Sequence, residues 1–184
     1  STGGEAGPLS GDSLARRIQR DLRNYTSTSI KGYEDGPYTL SLLGVQTNRD
    51  GTLGLNTNTL KNTFEQNPKV VDAIFKNQLT TDNADVSVRA LGVNTKPGSY
   101  SITKSGGNFL IDGAAMSESG TEYTSSSGDS TGLILNITDS NLSSANVYDG
   151  KSLMTLVDDS LTNFLAFDGD IQNRLSGLRD SLKD

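Results

Sequence analysis

The residues of this chain that could carry chemistry are carboxylates, hydroxyls, amides and lysines, because the sequence contains no Cys and no His. That composition excludes disulfides, cysteine nucleophiles, zinc sites with Cys or His ligands, and a serine activated by histidine. The candidates that remain are one polar turn, one serine–lysine pair and two pairs of carboxylates. In chain order they are Gln46–Leu53, Ser101 with Lys104, Glu118 with Glu122, and Asp158 with Asp159.

The polar turn from Gln46 to Leu53 has the alternating oxygen-bearing side chains and the following glycine of a calcium-binding EF-hand loop. A working loop of that kind needs a carboxylate at its first position and a bidentate glutamate at its twelfth. Gln46 and Thr57 stand at those positions in this chain. We therefore interpret the segment as a tight polar turn rather than a metal site.

Ser101 and Lys104 match the S-x-x-K pattern in which a lysine activates a serine nucleophile. That arrangement belongs at the start of a helix, whereas these residues lie in a predicted strand. Side chains three positions apart on a strand point to opposite faces. The pair is therefore not expected to act as a nucleophile and its base.

The two carboxylate pairs are also poorly placed for hydrolysis, which needs two carboxylates facing each other across a substrate. Asp158 and Asp159 are adjacent on a predicted helix and diverge by about 100°. Glu118 and Glu122 lie in a stretch that we expect to be a solvated loop. The sequence thus predicts no enzyme and no catalytic, cofactor-binding or metal-binding residue.

Three further patterns each have a purely structural and a functional interpretation. Tyr100, Phe109, Tyr123 and Tyr148 could stack against sugars, but we expect them to form most of a small core. The arginines of the first predicted helix could bind an anion, but a solvated helix face explains them better. Three N-glycosylation sequons, at Asn24, Asn136 and Asn141, matter only in a eukaryotic secretory setting.

Composition narrows the range of partners. The 184 residues carry 16 basic and 22 acidic side chains, a net charge of −6, with no basic stripe. Nucleic-acid binding depends on neutralising phosphates, so we expect no nucleic-acid partner. We expect no membrane partner either, because no apolar run of membrane-spanning length and no signal peptide is visible. The two ends look like those of a fragment.

The elements that would position these residues indicate an α+β fold. Apolar residues at helical spacing predict helices over residues 12–26, 60–64 and 68–75, and again after Lys151. The third of these should be capped by the Asn67 side chain and begin at Pro68, with an apolar stripe of Val70, Val71, Ile74 and Phe75. Alternating residues between 85 and 148 predict strands, with Leu133–Ile137 the clearest. We expect a helical packing unit, residues 9–80 and 149–184, with an antiparallel β-domain, residues 81–148, inserted in it.

The last predicted helix has a distinctive spacing. Ile171, Leu175, Leu178 and Leu182 are 4, 3 and 4 residues apart, the seam of a coiled coil. Gly169 either separates two helices here or lies within one. This region is the part of the chain that most needs a partner.

The order LGVQTNRDGTLGLN…TLKNTFEQNPKVVDAIF, residues 43–75, resembles the C-terminal half of the flagellar filament-cap protein family, FliD. The segment from Leu9 to Leu14 is similar to the part that precedes it, and the resemblance resumes near Ser152. It implies a structural role at the filament tip, as a ring-shaped homo-oligomer that assists flagellin polymerisation. It also implies flagellin and hook–filament junction proteins as partners, and export through the flagellar channel.

The resemblance carries one structural expectation for this chain. In the family the last helix packs against an N-terminal helix, which would leave Leu175, Leu178 and Leu182 under-buried here. No single functional residue follows from it, because the matching positions are packing and turn residues. Two other functions are alternatives to the cap role. One is an adhesion module that binds glycan or mucin through the β-insert, and the other is a carboxylate-dependent hydrolase with two distant acidic residues in one cleft.

Overall fold

The computed structural model describes residue 16, residue 20, and residues 23–49, 52–166 and 170–182. The chain divides into two compact units. Unit 1 comprises the described residues within 1–28, 39–66 and 156–184, and unit 2 comprises residues 29–38 and 67–155. No helix among the described residues is long and apolar enough to cross a membrane.

The part of unit 1 between residues 39 and 66 consists of short elements. A 3-10 helix, Leu40–Leu43, ends at Gly44, whose φ of 81° is a left-handed conformation that glycine adopts without strain. Strands β1 (Val45–Thr47) and β2 (Leu53–Leu55) form an antiparallel pair. Helix α1 (Thr57–Gln66) follows, and the Asn56 Oδ1 atom caps it by accepting the N–H groups of Asn58 and Thr59, each at 3.1 Å.

Helix α2 (Lys69–Phe75) belongs to unit 2 and begins just after Pro68, which has helical geometry as predicted. Its buried residues are Val70 and Ala73, whereas Phe75 is exposed, so the predicted stripe ending at Phe75 is wrong at that residue. The Asn67 side chain was also predicted to cap this helix, and it has a different partner. The Asn67 amide donates instead to the Tyr38 hydroxyl at 3.2 Å.

The rest of unit 2 contains two antiparallel sheets. In order across the five-stranded sheet, the strands are β3 (Gln78–Thr81), β11 (Ser144–Gly150), β5 (Gly98–Ser105), β6 (Asn108–Ile111) and β7 (Ala114–Ala115). In order across the four-stranded sheet, they are β4 (Val86–Ala90), β10 (Ile134–Ile137), β9 (Glu122–Thr124) and β8 (Ser117–Ser119). A 3-10 helix, Gly128–Ser130, precedes β10.

Side chains from both sheets form one hydrophobic core, and the inward residues alternate along β5, β6, β10 and most of β11, as a pleated strand requires. The most deeply buried members are Ile102, Leu133, Leu135 and Val147, each at 0% exposure. Burying apolar side chains of this size contributes about 1.5–3 kcal/mol each, which makes this core the main source of stability in unit 2.

Helices α3 (Leu153–Leu165) and α4 (Asp170–Ser181) complete the described chain. The Ser152 hydroxyl accepts the Thr155 N–H at 3.3 Å and so caps α3. Gly169 lies outside the described residues, as do Leu14, Ile18 and Leu22 of the first predicted helix.

The α+β prediction is confirmed, since helices and antiparallel sheets both occur in quantity. One local prediction was wrong, because the stretch Ser117–Thr131 contains strands β8 and β9 rather than only loop. Its serines and threonines hide the alternation on which strand prediction depends, and only Tyr123 of β9 is buried. The independent folding of residues 81–148 as an inserted domain stays a prediction.

Candidate functional site

The polar turn after Gln46 is a hairpin turn. Thr47 pairs with Leu53, and the Asn48 N–H donates to the Thr52 carbonyl at 2.8 Å. The Asn48 amide also donates to the Thr52 hydroxyl at 2.9 Å, so its side chain is used to close the turn. Asp50 and Gly51 lie outside the described residues. Within the described part of the chain, no group of three or more Asp and Glu residues could hold a metal ion.

Ser101 and Lys104 lie on strand β5 and have separate partners, as predicted. The Ser101 N–H donates to the Asp112 carboxylate at 2.8 Å. The Lys104 ammonium group donates to the Ser140 carbonyl and lies 5.3 Å from the centre of the Phe109 ring. This lysine therefore supports a loop and an aromatic ring rather than a nucleophile.

The carboxylate pairs chosen from the sequence are exposed. Glu118 and Glu122 lie on neighbouring strands β8 and β9, and Glu122 pairs with Arg89 at 3.3 Å. Asp158 and Asp159 lie side by side on α3. None of these four residues lines the cavity formed by Tyr33, Lys69 and Thr80 or the one formed by Lys31, Pro37 and Ser99.

Three of the four aromatic residues considered for sugar stacking are core residues, as favoured above. Tyr100, Phe109 and Tyr123 are at most 8% exposed, and the Phe109 and Tyr123 rings meet edge to face at 5.0 Å. Tyr148 is half-buried. The adhesion hypothesis therefore loses the exposed aromatic surface that it required of these residues.

The clearest apolar surface in unit 1 is on helix α4 and its C-terminal end. Leu175 and Leu178 are each 50% exposed and Leu182 is 86% exposed, which confirms that they are under-buried. We call these three residues the leucine row. Their spacing of 3 and 4 places them along one side of the helix. Leu161 and Leu165 of α3, four residues apart, are also exposed, at 48% and 60%.

Unit 2 contains a cavity of about 310 Å³ that no sequence pattern indicated. Its lining comes from three separate places, namely the loop after Ile30, helix α2 and strand β3. The side chains on which its chemistry depends are Tyr33, Glu34, Tyr38, Lys69, Asp72 and Gln78.

This cavity brings together two carboxylates distant in sequence, Glu34 and Asp72, which is what the hydrolase hypothesis asked for. Each is already engaged by an ammonium group. Lys69 contacts Glu34 at 2.5 Å, and Lys76 contacts Asp72 at 2.9 Å. Both have the surroundings of ordinary surface ion pairs, which gives the hydrolase hypothesis no positive support.

The comparisons with known proteins concern the whole chain. The family model described as flagellar hook-associated protein 2 C-terminus matches residues 1–184. Comparisons with curated proteins and with solved structures gave no significant match. The family is one of structural flagellar proteins at the filament tip. The chain therefore belongs to the FliD family of flagellar filament-cap proteins and corresponds to that family's C-terminal part.

Proposed function

We propose that this chain is the part of a cap subunit that joins the subunit's body to its assembly helices. In this proposal the complete subunits form a ring at the filament tip and assist flagellin to polymerise beneath it. They leave the cell through the flagellar export channel and meet flagellin and hook–filament junction proteins as partners. The family match over residues 1–184 supports the general cap role.

The observation that carries the assembly part of this proposal is the exposed leucine row. Fully burying a leucine side chain contributes about 1.5–3 kcal/mol, so two half-exposed leucines and the largely exposed Leu182 leave several kcal/mol unrealised. Residues 3 and 4 apart form the seam that a second helix covers in a coiled coil. We therefore assign the row to packing against a helix from the N-terminal part of the subunit.

Motility tests this function in cells that lack their own copy of the cap gene. The gene is restored either unchanged, with Leu178→Asp, or with the matched control Ser176→Asp, which lies on α4 outside the row. We expect the unchanged gene and Ser176→Asp to restore long filaments. Leu178→Asp should leave short filaments and release flagellin into the medium, because a charge on the seam opposes helix packing.

Two outcomes would contradict the proposal. If the unchanged gene restored no filaments, the cap role itself would fail. If Leu178→Asp and Ser176→Asp supported filaments of equal length, the cap role would stand but the leucine row would not be its packing surface.

A further inference from the structure

We propose that the cavity of unit 2 binds a basic side chain, arginine or lysine, presented by a partner polypeptide. The proposal goes beyond the cap role and does not depend on ring assembly. It starts from the shape of the cavity, whose volume of about 310 Å³ is at the lower end of the range for ligand sites. Such a space suits one long side chain better than a large cofactor.

The walls of the cavity are fixed before any ligand arrives. The Tyr33 hydroxyl donates to the Lys76 carbonyl at 2.6 Å, and the Gln78 amide donates to the Gly32 carbonyl at 2.9 Å. The loop that carries both tyrosines is closed by two hydrogen bonds between Ile30 and Tyr38, of 2.7 and 3.0 Å. A site that is already ordered loses little entropy on binding.

The same loop is packed tightly against the end of strand β11. A Cβ atom built on Gly32 would lie 1.9 Å from the Asp149 carbonyl oxygen, and one on Gly150 would lie 2.6 Å from the Tyr33 ring. Only glycine allows these approaches. They hold the Tyr33 ring in place as one wall of the cavity.

The lining has the chemistry that recognises an organic cation. The Tyr33 and Tyr38 rings lie 6.3 Å apart and are tilted by 54°, and because each residue is only 4% exposed they form a buried wall of the cavity rather than an open aromatic face. Glu34 and Asp72 supply carboxylates beside it, and Thr80 and Thr81 add hydroxyl groups. A guanidinium or ammonium group gains a charge-assisted hydrogen bond from such a carboxylate.

The charge around the cavity is also that of a cation site. Three carboxylates, those of Glu34, Asp72 and Asp35, face two ammonium groups here, because Lys69 lies 2.5 Å from Glu34 and 3.7 Å from Asp35 and Lys76 lies 2.9 Å from Asp72. Tyr148, which pairs with Thr80 across strands β11 and β3, is subject to the same negative charge. Its pKa is raised by burial and further by Asp82, Glu34 and Asp35, against a smaller opposing effect of Lys69.

Two lysines of the chain itself compete for this site, Lys76 at Asp72 and Lys69 at Glu34. The Lys69 ammonium group binds Glu34, and this hydrogen bond raises the pKa of Lys69. Both side chains of the pair are more than half exposed, so the pair adds little stability and an incoming cation can replace it. Removing Lys69 should therefore strengthen binding, whereas removing Glu34 or Asp72 should weaken it.

The test is an NMR titration of the isotopically labelled 184-residue chain with N-acetyl-arginine amide, using the neutral N-acetyl-citrulline amide as the matched probe. We expect saturable shifts of the backbone amide signals of Tyr33, Tyr38 and Thr80 with the arginine probe only. Glu34→Gln should weaken binding about tenfold, as expected for loss of a charge-assisted hydrogen bond. Lys69→Met should tighten it.

Matched controls come from an exposed ion pair of helix α1. Lys61→Met and Glu65→Gln change the net charge as Lys69→Met and Glu34→Gln do, but neither residue lines the cavity. Both should leave the affinity unchanged. The amide spectrum of each variant shows whether it is folded, and Asp72→Asn replaces Glu34→Gln if that variant is not.

Several results would overturn the proposal. Equal binding of the citrulline probe would exclude a cation site. Signal shifts that do not saturate and that spread over the acidic surface would mean that the arginine probe only responds to net charge. Equal changes in affinity for Lys61→Met and Lys69→Met would mean the same. Tighter binding of putrescine than of the arginine probe would assign the cavity to free polyamines rather than to a polypeptide.

Discussion

Single residues fix the loop that carries Tyr33 and Tyr38, and Gly32 is the most constrained of them. Its φ of +81° is left-handed, and an added Cβ would collide with the Asp149 carbonyl oxygen at 1.9 Å. We expect Gly32→Ala to lower the free energy of unfolding by more than the about 1–2 kcal/mol that left-handed geometry alone costs. Urea denaturation followed by circular dichroism measures this.

Gly107 is the matched control, because its φ of +89° is similar but no atom lies within 4 Å of an added Cβ. Gly107→Ala should show the conformational cost without the collision. Equal losses of stability in the two variants would mean that the loop moves away from β11 without cost.

A second prediction at this scale concerns pH. Burial, and then the Asp72 and Asp149 carboxylates, raise the pKa of Tyr33 from 10.0 to about 12, and burial also raises that of Tyr100 to about 12. As pH rises, the unfolded chain loses these protons first. The stability that these groups contribute is therefore complete below pH 10.0 and is lost as pH rises towards about 12.

Absorbance at 295 nm, which counts phenolates, and urea denaturation at a series of alkaline pH values check this together. We expect part of the six-tyrosine signal to appear only above the ordinary range while the chain stays folded. Tyr33→Phe should reduce the fall in stability with pH. A single titration step near pH 10.0 for all tyrosines would contradict the prediction.

At the level of elements, the sequence predicted those strands whose apolar side chains alternate with polar ones, and it missed strands with few buried side chains. Val86 and Val88 alternate with polar residues, and the strand they predict is β4. Strands β8 and β9 were missed because their residues are mostly serine, threonine and glutamate, with Tyr123 the buried exception. Strand β3 was missed for the same reason, since its apolar residue Leu79 is 45% exposed.

The central strands should tolerate truncation least. Leu135 of β10 is fully buried in the core, so Leu135→Ala should cost about 2–5 kcal/mol through lost contacts and the cavity left behind. Leu91, which is 42% exposed, provides the control, and Leu91→Ala should cost much less. Chemical denaturation of both variants gives the comparison, and similar costs would mean that the core repacks around Leu135.

Helix α4 should behave in the opposite way. Because Leu178 is 50% exposed in this chain, Leu178→Asp should change the free energy of unfolding by only about 0.5 kcal/mol. The same denaturation experiment checks it. A large loss would show that the leucine row already stabilises this chain, and would remove the reason to assign it to a partner helix.

At the level of the whole molecule, the sequence predicted the α+β class and, through the family resemblance, the under-buried leucines, but not the cavity. Periodicity reports which face of one element is buried, so it predicts a leucine row on a single helix. The cavity depends on Glu34 and Lys69, which are 35 residues apart and meet only after the loop, α2 and β3 come together. No local pattern contains that information.

The central claim is that the leucine row is the packing surface through which a cap subunit assembles. Light scattering on a longer chain that includes the N-terminal part of the subunit tests it most directly. We predict a ring-sized oligomer for the unchanged longer chain and for Ser176→Gln, and a smaller species for Leu175→Gln combined with Leu178→Gln. This 184-residue chain alone should be a monomer. A longer chain that stayed monomeric at high concentration, or a double variant that kept the full ring mass, would contradict the claim.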